Sequence, residues 1–225
     1  MNEFFNPDNI AMRALTKFCD FIALNFLFII SCIPIITIGT ALTSLYSVTL
    51  KMTNNTEAYI AKGYWKAFKA NFKQSTLLWI PILLAGIFFG VDLYVVLFVI
   101  GEQFKLLQIP IWIFLFLLFS LVTYGFPIIA KFESPTKDVI KNSLLISIAN
   151  IPNTIFFLVI DYVIIRFFIT TSVGFGVIFS IFLFFGFAAL NYFYSIFINK
   201  IFNKITGEDE EVNEDELTPL NLDEE

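Results

Sequence analysis

Histidine is absent from the 225 residues, so the commonest general base and the commonest metal ligand are both missing. Charge is scarce. Asp, Glu, Lys and Arg together make 15% of the chain, where a soluble domain carries about 25%. Cysteine occurs only as Cys19 and Cys32. On one helix that separation is a rise of roughly 20 Å, too far for a disulfide, and both read as small apolar residues. There is no glycine-rich phosphate loop with Lys-Ser/Thr, no dinucleotide-binding glycine pattern and no cluster of zinc ligands. The sequence therefore predicts no enzyme, no metal site and no cofactor.

Apolar side chain is what the chain has in excess. Hydrophobic residues make 58%, thirty residues are Phe, and mean hydropathy is +0.81. A soluble fold of this size has too little interior to hide that much apolar surface. The class this implies is an all-α, polytopic membrane helix bundle whose first partner is the lipid bilayer.

The net charge of −5 averages two unlike parts. Residues 208–225 hold ten carboxylates and no Lys or Arg; residues 1–207 hold fourteen basic residues against nine acids, +5. The division predicts a transmembrane domain over 1–207 and an acidic, disordered tail over 208–225. The basic excess is accounted for by membrane topology, so nucleic-acid binding is not implied.

About 20 apolar residues cross a bilayer. Runs of that kind lie between Asp20 and Lys51, Lys73 and Glu102, Lys105 and Lys131, Lys141 and Arg166, and Arg166 and Lys200, interrupted only by Asp92 and Asp161. The first run is too long for one upright span and too short for two. It contains Pro34 and Gly39, which break or bend a helix. One reading is a single kinked helix. The other is a hairpin with its first arm starting near Ala11 and its break at Pro34–Gly39. Lys and Arg favour the cytoplasmic side, and only the hairpin puts Arg13 and Lys17 on the same side as the clusters at 51–73, 131–141 and 200–204. The expectation is a hairpin, five to six spans and both termini cytoplasmic. No cleavable secretory signal is read; Ser31-Cys32 imitates a lipoprotein site, but the apolar run continues past it.

Tyr59 to Gln74 places Tyr64, Trp65, Phe68 and Phe72 at helical spacing among lysines. That pattern predicts an amphipathic cytoplasmic helix at the membrane surface, with Trp65, Lys66, Phe68, Lys69, Asn71, Phe72 and Lys73 as the contact for a partner. A faint repeat joins the second and fourth runs: Asn71 and Asn142 each precede a proline by ten residues, Pro81 and Pro152, and Asp92 and Asp161 follow with a tyrosine close behind. Few positions carry this match, and coincidence remains its rival.

Candidate site residues are the polar ones in apolar surroundings. Asn25 needs a hydrogen-bond partner on a neighbouring helix. With Pro34, Thr37 and Gly39 it forms either a helix-packing feature or a small site at a broken helix. Asp92 and Asp161 lie about 27 and 29 Å along straight helices from Gln74 and Asn142, which places both near the outer interface. There they read as interfacial caps, Asp161 pairing with Arg166, or as two acids at an outward-facing cavity.

The stretch from Pro34-Ile35-Ile36-Thr37-Ile38-Gly39 to Leu45-Tyr46, with Asn25 before it, resembles the N-terminal signature of the YesL-like bacterial membrane proteins. So does Trp65-Lys66-Ala67-Phe68-Lys69-Ala70-Asn71-Phe72-Lys73-Gln74-Ser75-Thr76, followed by Trp79. The resemblance implies a bacterial plasma-membrane protein of a largely uncharacterised family, often encoded beside carbohydrate ABC importers. On that basis it is expected to be accessory to sugar uptake, with importer subunits as partners. A small permease in its own right, and a scaffold recruiting a soluble protein through its tail, are the alternatives. Substrate and oligomeric state are not readable from the sequence.

Overall fold

The computed structural model describes residues 10–54, 56, 59–99, 106–170 and 172–207; the acidic tail of the sequence reading lies outside them. These residues are helical nearly throughout, without a strand among them. Six of the helical stretches are long and apolar enough to cross a membrane. The chain is thus an all-α polytopic membrane bundle.

The first run is a hairpin. Helix α1 (Ile10–Cys32) stops at Ile33-Pro34, a single 3₁₀ turn follows at Ile35–Thr37, and α2 (Ile38–Thr53) returns. Pro34 is extended, with φ −78° and ψ 121°, and has no N–H to continue the ladder. Gly39 does not form the break, as the sequence reading had it; it lies inside α2, and its role is the close approach of a neighbouring helix.

Helix α3 (Ile60–Phe98) is continuous over 39 residues, about 58 Å at 1.5 Å per residue. The expected surface helix is therefore the first part of α3 rather than a separate element. Tyr64 and Ala67 are buried, while Lys62, Trp65, Lys66, Lys69, Phe72 and Lys73 are exposed. Such a length exceeds the roughly 30 Å hydrocarbon core, so the lysine-bearing end extends past it. The hairpin turn is held beside Trp79, midway along α3, by a 2.8 Å bond from Trp79 Nε1 to the Ile35 carbonyl.

The second hairpin pairs α3 with α4 (Gln108–Ser120), which passes through a π-helical stretch at Leu121–Gly125 into α5 (Phe126–Lys131). Pro127 supplies a cause, since its missing N–H interrupts the α-ladder. The third hairpin begins with α6 (Thr136–Ala149) and α7 (Ile151–Thr170). It returns through α8 (Ser172–Ile181), a second π-helical stretch at Phe182–Gly186, and α9 (Phe187–Thr206), which ends at Gly207 in the left-handed conformation, φ 79°. Both π-helical stretches end in Gly-Phe, Gly125-Phe126 and Gly186-Phe187. This likeness of the returning arms adds to the repeat read in the outgoing ones. The repeat is not strict: α3 continues through Pro81, whereas the chain breaks at Asn150 before Pro152.

The three hairpins close into a ring. The outgoing arm of each lies on the returning arm of the one before: α3 on α2, and α6 on the α4–α5 arm. Helix α1 completes the circle on Phe182–Gly186 and α9. The returning arms form the centre, where α2 meets both α5 and α9. Polarity is inverted relative to a soluble fold. Large apolar side chains such as Ile87, Phe98, Phe114 and Ile165 are exposed, and Asn25, Thr40, Thr43, Ser75, Ser120, Ser147 and Ser195 are buried. Lipid offers no gain from burying the former, while hydroxyls and amides find their partners only between helices.

Candidate functional site

Each seam of the ring carries hydroxyl or amide bonds. Between α2 and α3, Thr43 meets Ser75 at 2.8 Å and Thr40 meets Thr76 at 3.2 Å. Between α4 and α6, Ser120 meets Ser147 at 2.7 Å. The closing seam is made by Asn25. Its Nδ2 donates to the Phe182 and Leu183 carbonyls, both at 2.9 Å, and its Oδ1 accepts from the Ala188 N–H at 3.1 Å. A side chain from α1 thus completes the interrupted ladder of the second π-helical stretch.

At the hairpin turn, the Thr37 hydroxyl lies 2.6 Å from the Ser31 carbonyl and 2.7 Å from that of Pro34. With the bond from Trp79 to Ile35, the Ser31, Pro34 and Ile35 carbonyls at the break are satisfied by side chains. Pro34 and Thr37 thus lie in a bonded joint, with Gly39 packed against α3 beside it. Ile33, Ile35 and Ile36 are exposed at its tip.

The centre of the bundle holds a cavity of about 260 Å³ lined by, among others, Leu45, Tyr46, Thr123, Asp161, Asn191 and Tyr194. Tyr194 donates to Asp161 Oδ1 at 2.7 Å. Asp161 thus lines this cavity while remaining half-buried, and its hydrogen bond runs to Tyr194 rather than to Arg166. The chain breaks at Asn150, so a straight-helix distance from Asn142 does not apply to it. No basic residue lines the cavity. A bare carboxylate at such a place costs about 2.5–3.5 kcal/mol on insertion scales, and one neutral donor offsets only part of that. The arrangement is chemically suited to hold a proton or a small cation. Asp92 is half-buried on α3 and does not line this cavity, so the two acids do not form a pair there.

From the cavity a polar track follows one face of α9 toward the lysine-bearing end. Thr49 donates to Asn191 Oδ1 at 2.7 Å and lies 2.7 Å from the Ser195 hydroxyl. Asn199 Nδ2 reaches Thr53 Oγ1 at 3.2 Å and Asn54 Oδ1 at 2.7 Å. Lys131 Nζ donates to Asn199 Oδ1 at 3.1 Å and Asn203 Oδ1 at 3.0 Å. The ends of all three returning arms are joined in this node. Sequence reasoning missed Tyr194, Asn191, Asn199 and Lys131. A signal existed: Asn191, Ser195, Asn199 and Asn203 recur every four residues along one face of α9.

The residues expected to contact a partner differ in exposure. Trp65, Lys66, Lys69, Phe72 and Lys73 are exposed, whereas Phe68 and Asn71 are half-buried. Trp65 and Phe68 rings lie 5.4 Å apart, Phe68 and Phe72 5.9 Å. Asn71 Nδ2 is committed to the Ala67 carbonyl of its own helix at 3.1 Å.

The architecture and its buried polar seams define a multi-pass helical membrane protein. The stretch that builds the joint and the first seam is the part of the chain with a family likeness. Residues 21–93 match the family DUF624, described as a protein of unknown function. The chain is also similar to a Bacillus subtilis (strain 168) protein described as uncharacterized protein YteU, 30% identical over 96 residues. That match spans 43% of this chain and 43% of the relative, so less than half of the relative's length is covered. The landmark residues that resemble the YesL-like proteins fall largely within this matched stretch. No solved structure matches the chain.

Proposed function

We propose that the protein is a non-enzymatic accessory subunit of a bacterial uptake system, resident in the plasma membrane with both termini cytoplasmic. The resemblance to the YesL-like group suggests that the system is a carbohydrate ABC importer. The size of the central cavity is the observation that carries the accessory role. At about 260 Å³ it falls below the roughly 300–1,000 Å³ of pockets that hold drug-sized ligands. Two cavities of about 460 Å³ have mainly apolar walls, such as Ile164, Phe168 and Phe182 in one and Ile128, Leu145 and Phe202 in the other, and a polar one of about 330 Å³, lined by Lys51, Lys66 and Lys131 among others, lies apart from the central cavity and shares no lining residue with it. A sugar needs convergent polar groups along its route, so the sugar path belongs to a partner. The exposed Trp65–Lys73 face is the surface for that partner. The test is co-purification of the tagged full-length chain from native membranes. Importer membrane subunits are the expected companions, and their absence after mild cross-linking overturns the proposal.

Asp161 favours a second reading, movement of a proton or small cation through the bundle along the α9 track. Asp161→Asn keeps a hydrogen-bonding group beside Tyr194 but removes the charge. On this reading, proteoliposomes of the wild-type chain dissipate an imposed pH or sodium gradient. Asp161→Asn is expected to slow the flux about a hundredfold or more, the lower end of the range attributed to a positioned proton-transferring group. Equal flux from both proteins rejects the second reading and leaves the accessory role intact.

A further inference from the structure

We propose that the central cavity is a binding site for a small organic ammonium ion. The proposal rests on the second reading above only in that the cavity receives a cation, and it names the kind of cation. Asp161 is the one charged residue among the described residues of the wall, and Tyr194 donates to Oδ1 alone. Tyr46, Thr123 and Asn191 line the same space, each no more than 6% exposed. The Tyr46 and Thr123 hydroxyls have no hydrogen-bond partner among the described residues, and the Asn191 amide has one only for its Oδ1, which Thr49 takes. Neither hydroxyl is sealed in the packing, as those of Ser31 and Tyr64 are, so both open on the cavity. Elsewhere in the bundle, buried hydroxyls are paired across the seams, Thr43 with Ser75 and Ser120 with Ser147. Polar groups left open around one carboxylate are groups that a ligand satisfies.

The walls decide between kinds of cation. At about 260 Å³ the space is worth several waters at roughly 30 Å³ each, far more than a bare metal ion fills. Phe28, Phe119 and Phe187 line it beside the two tyrosines, and the Phe28 and Phe187 rings lie 5.2 Å apart. Aromatic faces attract ammonium groups, most strongly where water is excluded, whereas a hard metal ion requires a close shell of oxygens. An ammonium beside Asp161 meets a carboxylate, hydroxyls that accept its N–H groups and aromatic rings in one place. Its carbon substituents then pack on the apolar part of the wall. Thr123 belongs to the first π-helical stretch, Leu121–Gly125, and single turns of this kind recur at functional sites. That stretch brings the consecutive residues Val122 and Thr123 together into the wall.

The experiment is thermal unfolding of the full chain in detergent, titrated with methylammonium or tetramethylammonium chloride against sodium chloride at matched ionic strength. Both ammonium ions are expected to raise the unfolding temperature saturably, and sodium is not. Asp161→Asn is expected to weaken both at least about tenfold, the scale of one lost charge-assisted contact. Tyr46→Phe is expected to match the wild type in stability without ligand, because the hydroxyl it removes has no protein partner. It is expected to weaken methylammonium about threefold, the scale of one hydrogen bond, and to leave tetramethylammonium unchanged, since that ion has no N–H to donate. A folding defect does not separate the two ions. Absence of any response in the wild-type chain overturns the site, and so does a response that persists unchanged in Asp161→Asn. Equal stabilisation by sodium overturns the ligand class. Ammonium binding by a chain that moves no proton or sodium gradient in proteoliposomes supports the site and rejects the second reading. Gradient movement without ammonium binding overturns the site and leaves that reading standing.

Discussion

Gly39→Ala is expected to destabilise the protein by about 1–3 kcal/mol, the usual cost of overfilling a well-packed contact, and Gly39→Leu to prevent assembly of the hairpin on α3. A Cβ added at Gly39 meets Trp79 Cβ at 2.5 Å, the Ser75 carbonyl oxygen at 2.9 Å and Trp79 Cγ at 3.0 Å. None of these atoms is the free end of a flexible side chain. Two are fixed to the α3 backbone, so relief requires α2 and α3 to separate. Separation also strains the Thr43–Ser75 and Thr40–Thr76 contacts and the bond from Trp79 to Ile35. Gly86→Ala and Gly90→Ala are the controls. Their added Cβ atoms meet nothing within 4 Å, and alanine is the better helix former by about 1 kcal/mol. They are expected to be neutral or slightly stabilising. Thermal unfolding in detergent, with limited proteolysis of the loop after α2, separates the two outcomes. A Gly39→Ala protein as stable as the controls rejects the close approach.

The hairpin itself was legible because two independent signals agreed. Pro34 interrupts an apolar run too long for one span, and lysine placement requires an even crossing before Lys51. Asn25 was legible as a residue in need of a partner, for an amide at membrane depth has few alternatives. Its partners were not, since they are backbone groups about 160 residues away whose availability depends on the π-helical stretch. Asp161 was legible as a charge in an apolar run, but its bond to Tyr194 was not, because a straight-helix count carries no information about the break at Asn150 or about which helix α7 meets. The surface helix was correct in its exposed face, but apolar periodicity does not reveal that α3 runs on without interruption into the membrane. The central polar track was hidden for a different reason. Asn191, Ser195 and Asn199 each look unremarkable alone, and only the meeting of α9 with α2 and α5 turns them into a chain of contacts.

Asn25→Leu is expected to open the ring at the seam between the first and third hairpins. Leucine keeps the volume but leaves the Phe182 and Leu183 carbonyls and the Ala188 N–H without the partner that Asn25 supplies. Membrane side-chain hydrogen bonds contribute about 0.6–1.7 kcal/mol each, so losing all three costs about 2–5 kcal/mol. Asn25→Asp discriminates further. An ionised carboxylate replaces the donor to two carbonyl oxygens with a third acceptor, so it is expected to be worse than leucine, although it is closer to asparagine in shape. Protonation restores one donor, which makes the Asp variant more stable at low pH and less stable as pH rises. The sign is opposite to that of a carboxylate stabilised by an ion pair. Leucine has no such pH dependence. The measurement is unfolding of the three proteins across pH in one detergent, together with cross-linking of cysteines placed on α1 and α9. If Asn25→Asp equals wild type at neutral pH, Asn25 is not the clamp. If it fails there and recovers on acidification, the seam is held by donation from one amide, and the second π-helical stretch exists because that amide is inserted into it.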